Sequence, residues 1–306
     1  MPSIPIIDLG ELGLPAQPSE EEWQRVAREI KSAFQDIGFV YLSNHGIPQG
    51  EIDEVFGVAE DFFTLEDSTK RRYLRGVQTI QGYTAPNQER LTEVSNIQEL
   101  RESFDIHTPD GTFPDQELAS LRPATRILFE KCSTLSSRLL TAMAIALGLE
   151  RSYFVKRHKG LAGLKNSSSM RLLYYPALPA DEGADEGVTR CGAHTDYGTV
   201  TLLFQDTRGG LEVKERGGSW VSALPIPGTI LVNAGDILQF WTGDTFRATE
   251  HRVLLTSSRS KARQSVVFFV HPDGDVVVEP LDGSGKYTPV QAKQHAIRRF
   301  SETYTI

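Results

Sequence analysis

Cysteine is nearly absent from this chain: two residues, Cys132 and Cys191, among 306. That is too few for a disulfide framework. The opening Met1–Asp8 lacks the basic stretch and apolar core of a secretory signal, so a reducing, cytoplasmic setting is expected. Long apolar runs are missing as well. The longest, around Leu139–Leu149, falls short of the roughly 18 residues a membrane helix needs, and no membrane association is expected. Nor is there a surplus of positive charge: 32 Lys plus Arg stand against 40 Asp plus Glu, a formal net charge of -8. That is the wrong sign for a general polyanion binder, so no nucleic acid partner is expected. No repeat of fixed period and no low-complexity tract occur, and Pro179–Glu186 reads as a polar loop.

What remains is an ordinary soluble globular composition, with 39% hydrophobic, 24% charged and 9% aromatic residues. The character of the chain changes near Lys159–Ser169. Upstream, Trp23, Val26, Ile30 and Phe34 recur at the three- and four-residue spacings of one helical face over Glu20–Phe34. A strand follows at Ile37–Leu42. Pro48 then precedes a second amphipathic stretch, Ile52–Phe63, and Pro114–Leu149 supports one long helix with a break near Arg122-Pro123. Downstream, short β-rich runs are punctuated by glycine: Val200–Phe204, Leu211–Val213, Thr229–Val232, Asp236–Phe240, His251–Leu255 and Ser265–Val270. That pattern suits a closed or sandwich-like antiparallel β fold. Tyr287–Thr305 reads as a terminal amphipathic helix. The expected organisation is residues 1–160 mostly helical, 161–275 a β core and 276–306 a helical segment, packed as one unit.

The informative stretch is Gly192-Ala193-His194-Thr195-Asp196-Tyr197-Gly198-Thr199. On an extended chain, residues two apart project to the same side, so His194 and Asp196 reach one point. Alone the triplet is weak, because seven histidines make a His-x-Asp easy to find. His251 opens a further apolar run that fits beside the first strand in a rolled sheet. Two imidazoles and a carboxylate on one face of an octahedron are the donor set of non-haem Fe(II) oxygenases. Bland alternatives stand beside this: His251 as a satisfied strand histidine, Asp196 as a turn former. Twelve positions on, Arg263-Gln264-Ser265 enters another strand. A guanidinium inside an apolar barrel is costly unless it meets an anion, and its planar fork matches a carboxylate.

His194-x-Asp196, His251 and Arg263-x-Ser265, in that order, resemble the signature of the 2-oxoglutarate- and Fe(II)-dependent dioxygenases of the isopenicillin N synthase-like group. Ile4–Leu9 is similar to that group's N-terminal strand and Gly38–Ile47 to its N-terminal signature. Arg171-Leu172-Leu173-Tyr174-Tyr175-Pro176 keeps its Arg-x-Asn-Tyr-Tyr-Pro except for the asparagine. The resemblance implies a mainly β fold with flanking helices, a double-stranded β-helix or jelly roll. It implies His194, Asp196 and His251 as Fe(II) ligands, with Arg263, Ser265 and Tyr175 on 2-oxoglutarate, and O2 as co-reactant. No catalytic residue is expected beyond the metal ligands. The expected reaction hydroxylates, desaturates or cyclises a small-molecule metabolite and releases succinate and CO2, in a monomer or weak homo-oligomer. Substrate contacts are expected at Phe104, Phe204, Phe240, Trp241 and Phe269, with Thr79–Leu91 and His271. Three other readings stay open: an Fe(II) oxidase that uses Arg263 for its own substrate, like isopenicillin N synthase or aminocyclopropane carboxylate oxidase; a non-catalytic cupin-like metal-binding protein; and a Zn(II) hydrolase. His45 is expected to orient a turn, Cys191 to fill buried space, and His107, His158, His271 and His295 to serve surface or core roles.

Overall fold

Ser19 opens the first long helix, Glu20–Asp36, by accepting the Glu22 backbone N–H on its side chain. Three glutamates in the first turn complement the helix dipole. Its apolar stripe buries Trp23, Val26, Ile30 and Phe34, as the spacing predicts. In the computed structural model, which describes residues 4–76, 79–89, 91, 98–161, 163, 165–178, 188–255 and 260–303, the helix Leu121–Ala146 packs against it and the helix Gln49–Phe63 packs in turn on Leu121–Ala146. The expected Pro179–Glu186 loop lies outside the described residues, as does Arg90 of Thr79–Leu91. The long helix starts later than expected and runs unbroken. Pro123 falls in its first turn, where a missing N–H costs no intrahelical bond.

Eight strands form one sheet in the spatial order Ile6–Asp8, Phe39–Ser43, Thr229–Ala234, Val200–Gln205, Arg263–Val270, Ser169–Tyr175, Glu102–Ile106 and Gly82–Thr84. A second sheet holds Trp220–Ser222, Leu211–Lys214, His251–Val253 and Cys191–His194. Its pairings are all antiparallel, and among the described strand pairs of the first sheet all are antiparallel but that of Ile6–Asp8 with Phe39–Ser43. This is the mainly β jelly-roll core with flanking helices. The N-terminal strand Phe39–Ser43 sits inside the large sheet, in register with Thr229–Asn233. No described helix is long and apolar enough to cross a membrane.

Strand parity decides what each side chain meets. Met170, Leu172, Leu202, Phe204, Val266 and Phe268 join the core cluster that includes the helices' apolar faces, and Phe268 meets Phe129 edge-on at 5.0 Å. Alternate residues, among them Leu173, Tyr175, Leu203 and Val267, turn inward to a second cluster with Leu211 and Val253 of the smaller sheet. Between the sheets lies the cavity that Arg263, Ser265, Val267 and Phe269 line from one strand.

Parity corrects two expected substrate contacts. Phe104 pairs in register with Leu172 and shares its outward face, packing on Phe62 at 4.8 Å. Phe204 is outward by the same alternation and buried in that core. Two more are corrected by secondary structure. Asp236–Trp241 is a short helix, not a strand, because Asp236 and Ile237 give their N–H groups to Asp196 and Gly198 carbonyls. A short apolar run does not distinguish the two states. Phe240 therefore packs on Tyr287 at 4.6 Å and Trp241 on Phe154 at 5.2 Å, away from the cavity. Phe104→Ala is expected to cost about 3–5 kcal/mol in urea unfolding while leaving 2-oxoglutarate affinity unchanged; a loss of affinity with intact stability would return Phe104 to the cavity wall.

Candidate metal and cosubstrate site

His194 ends its strand and His251 begins the next, and the two stand opposite one another in antiparallel register. Their ring centroids are 4.3 Å apart. His194 Nδ1 donates to the Gly192 carbonyl at 2.9 Å and His251 Nδ1 to the Thr249 carbonyl at 3.1 Å. A carbonyl only accepts, so each Nδ1 carries the proton and each Nε2 keeps its lone pair for a metal. Both Nε2 atoms lie 3.8 Å from one oxygen, Asp196 Oδ1. The other carboxylate oxygen is held by Asn233 Nδ2 at 2.7 Å. One ligand atom from each of the three residues falls within 4.8 Å of the others. Two imidazoles with free Nε2 and one oriented carboxylate fit Fe(II).

Electrostatics agree with that use. Burial pushes His251 down to about 4, keeping it neutral at physiological pH. Burial works to raise Asp196, but the facing imidazoles and hydrogen bonds from Asn233 and Thr201 hold it below the usual carboxylate range. Gly198 is required by close approach: a Cβ there would sit 2.3 Å from the Val270 carbonyl.

Arg263 lies across the cavity floor with only 1% of its surface exposed. It pairs in register with Tyr175 on the neighbouring strand, and its Cζ stands 4.9 Å from that ring's centroid. Its Nε donates to the Gly209 carbonyl at 2.9 Å, Nη1 to Ser265 Oγ at 3.4 Å and Nη2 to Gln205 Oε1 at 3.3 Å. Every one of these acceptors is neutral. A buried cation without a counter-charge among the described residues fits a carboxylate guest. Arg190, also 1% exposed, adds a second guanidinium 5.9 Å from the Tyr175 ring.

Of the expected site residues, the fold brings together His194, Asp196 and His251 at one point and Arg263, Ser265 and Tyr175 at another, with Phe269 and His271 on the same cavity wall. Of the expected Thr79–Leu91 segment, Ile80, Glu89 and Leu91 line the cavity; sequence reasoning missed Asn233 and Arg190, and gave no role to Arg171, Arg101 or Asp105, all three of which also line it. Asn233 had a signal: it is the polar residue in Ile230-Leu231-Val232-Asn233-Ala234. Cys191 is buried, with Sγ accepting from Arg101 Nη1 at 3.2 Å and its thiol pushed up to about 12 by burial. His45 orients the Asn44–Gly46 turn by accepting the Ile47 N–H. His107 Nε2 meets the Asn166 carbonyl at 2.6 Å, and His295 is buried against Phe240.

His158 buttresses the site from behind, bonded to the Phe154 carbonyl at 2.7 Å and to Thr199 Oγ1 at 2.8 Å. Burial pushes it down to about 4. Unfolded, it titrates near 6.5, so between those values the unfolded chain takes up a proton that the fold refuses. Stability is therefore expected to fall as pH drops from about 6.5 toward 4, by on the order of 1–2 kcal/mol from His158 at about pH 5. A Tm that holds constant from about pH 7 to 5 would contradict a buried neutral imidazole.

Comparison with known proteins matches this geometry. Residues 166–272 match the profile of the 2OG-Fe(II) oxygenase superfamily, and residues 4–124 that of the non-haem dioxygenase in morphine synthesis N-terminal region. Proline hydroxylase buaE of Petromyces alliaceus is 34% identical, covering 83% of this chain and 83% of its own. A homoarginine-6-hydroxylase of Oryza sativa is 30% identical over 97% and 96%. Among solved structures, a full-length Neurospora crassa protein in complex with alpha-KG and thymine superposes with a TM-score of 0.87 at 29% identity, covering 98% of this chain and 96% of that one. With the paired histidines, the oriented aspartate and the buried arginine already placed in one cavity, these relationships establish that the chain belongs to the 2OG-Fe(II) oxygenase superfamily and is a 2-oxoglutarate-dependent dioxygenase.

Proposed function

We propose that His194, Asp196 and His251 hold the Fe(II), that Arg263 with Ser265 and Tyr175 holds the distal carboxylate of 2-oxoglutarate, and that the substrate is a small polar metabolite. The observation that carries the ligand assignment is the position of Asp196 Oδ1, 3.8 Å from each histidine Nε2. Iron, 2-oxoglutarate and O2 together would supply the oxidising chemistry, in which one oxygen atom of O2 enters succinate as 2-oxoglutarate loses CO2 and the other oxidises a substrate C–H bond. The chain's own residues do the rest. Gly192 and Thr249 carbonyls fix the two imidazole tautomers, Asn233 fixes the carboxylate, and Arg263 presents N–H groups to an anion from a water-poor floor.

A small metabolite is supported by the relatives, whose names specify proline and homoarginine hydroxylation and a thymine complex. A cytosolic site of action is supported by two buried, unpaired cysteines. The expected outcome of an aerobic assay is succinate formation that requires Fe(II) and 2-oxoglutarate together. Succinate that survives iron chelation would overturn the assignment.

A further inference from the structure

Arg190 sits between the strands Val188–Thr189 and Cys191–His194 with only 1% of its surface exposed. Its Nη2 donates to the Lys261 carbonyl at 3.1 Å, while Nε and Nη1 have no hydrogen-bond partner, so among the described residues its one bonded acceptor is neutral. The Asp206 charge is felt at Arg190. The two oxygens of that carboxylate, however, accept the backbone N–H groups of Arg208 and Gln264, at 2.9 and 2.6 Å. A buried cation in this state is costly, and a guanidinium does not escape the cost by losing its proton.

The position of the side chain compounds that cost. Its Cζ lies 5.9 Å from the Tyr175 ring centroid, and the Cζ of Arg263 lies 4.9 Å from the same centroid. Two buried guanidinium groups thus adjoin one aromatic ring, and the acceptors of Arg263 are neutral as well. Burial first and the charge of Arg263 second hold the Arg190 pKa below the usual guanidinium value. An anionic guest reverses the balance, because a carboxylate bonded to Arg263 is attracted by both cations, and buried charges are only weakly screened. Arg190 is not part of the cavity wall that Arg263, Ser265 and Tyr175 line. It therefore acts on a guest by its field and by holding the Tyr175 ring, within the range of a cation–π contact.

Resting on the proposed function, we infer that Arg190 is a positioning residue of the cosubstrate pocket. It is a second cation that adds its charge beside Tyr175 to that of Arg263 and so favours a 2-oxo acid with a distal carboxylate over one without it. Arg263 makes the hydrogen bonds to that carboxylate; Arg190 supplies attraction that a neutral chain end does not feel.

The test titrates the full-length Fe(II)-loaded protein anaerobically with 2-oxoglutarate and with 2-oxopentanoate, which keeps the 2-oxo acid head and carries a methyl group in place of the distal carboxylate. Binding is read from the visible band that each forms with Fe(II). In Arg190→Met the 2-oxoglutarate midpoint is expected to rise about tenfold, while that of 2-oxopentanoate moves by less than about twofold. Arg190→Lys keeps the charge without the planar fork and is expected to bring the 2-oxoglutarate midpoint back to within about threefold of the unsubstituted protein. Exchanging a buried charge for an apolar side chain of similar size is often neutral or stabilising, so ligand-free Arg190→Met is expected to keep or raise its Tm.

Midpoints that shift equally for both ligands, or for neither, overturn the inference, as does Arg190→Lys behaving like Arg190→Met. An Arg190→Met protein that fails to fold or loses Tm makes Arg190 a structural cation and overturns it too. The unsubstituted protein separates the two levels. No band with 2-oxoglutarate rejects the underlying site and this inference with it, whereas a normal band that Arg190→Met leaves in place rejects the role of Arg190 alone.

Discussion

Asp196→Ala is expected to abolish stable Fe(II) binding and turnover with the fold retained, and His194→Ala to do the same. The geometry sets the expected size. Asp196 Oδ1 is the carboxylate oxygen that both histidine Nε2 atoms face at 3.8 Å, and the partner that orients it, Asn233, touches only the opposite oxygen. Losing such an outer partner costs roughly 10–100-fold in metal affinity or activity, so Asn233→Ala marks the milder limit and Asp196→Ala must exceed it. Dialysis of the Fe(II)-loaded variants followed by metal analysis, with circular dichroism for the fold, checks both. Full iron retention and activity in Asp196→Ala would remove the aspartate from the site.

The second large effect belongs to Arg263. Arg263→Ala is expected to weaken 2-oxoglutarate binding by about 2–5 kcal/mol, the range for truncating one side of a buried, hydrogen-bonded charge pair. That corresponds to roughly 30-fold to several thousand-fold in the concentration required. Arg263→Lys keeps the charge but not the planar fork and is expected to fall between. Its neutral present partners, Gly209, Ser265 and Gln205, hold the guanidinium in place without consuming its charge. Measuring KM for 2-oxoglutarate by succinate release decides it. An unchanged KM would assign Arg263 to another anion.

Much of this site was legible because its chemistry is local. His194 and Asp196 are two residues apart, Arg263 and Ser265 likewise, and a two-residue period fixes their common side before any fold is known. The helix Glu20–Asp36 was legible for the same reason, through its three- and four-residue spacing. What the sequence did not reveal is which strand faces which. Phe104 and Phe269 look alike as strand aromatics, yet one pairs with outward Leu172 and the other follows inward Val267. That choice is set by partners far away along the chain. The Asp236–Trp241 helix escaped because it is held by hydrogen bonds to the Asp196–Gly198 segment, a tertiary contact with no local signature. The charged cluster was only partly legible: Glu89 falls in the expected Thr79–Leu91 segment, but Arg101, Asp105 and Arg171 acquire meaning only when the fold brings them beside it.

The measurement closest to the central claim is an anaerobic titration of the Fe(II)-loaded protein with 2-oxoglutarate, followed by visible absorption. The expected result is a weak metal-to-ligand charge-transfer band that saturates at one equivalent of iron, disappears in Asp196→Ala and shifts to much higher 2-oxoglutarate in Arg263→Ala. Iron bound with no band at any 2-oxoglutarate concentration, or a band indifferent to both substitutions, would contradict it.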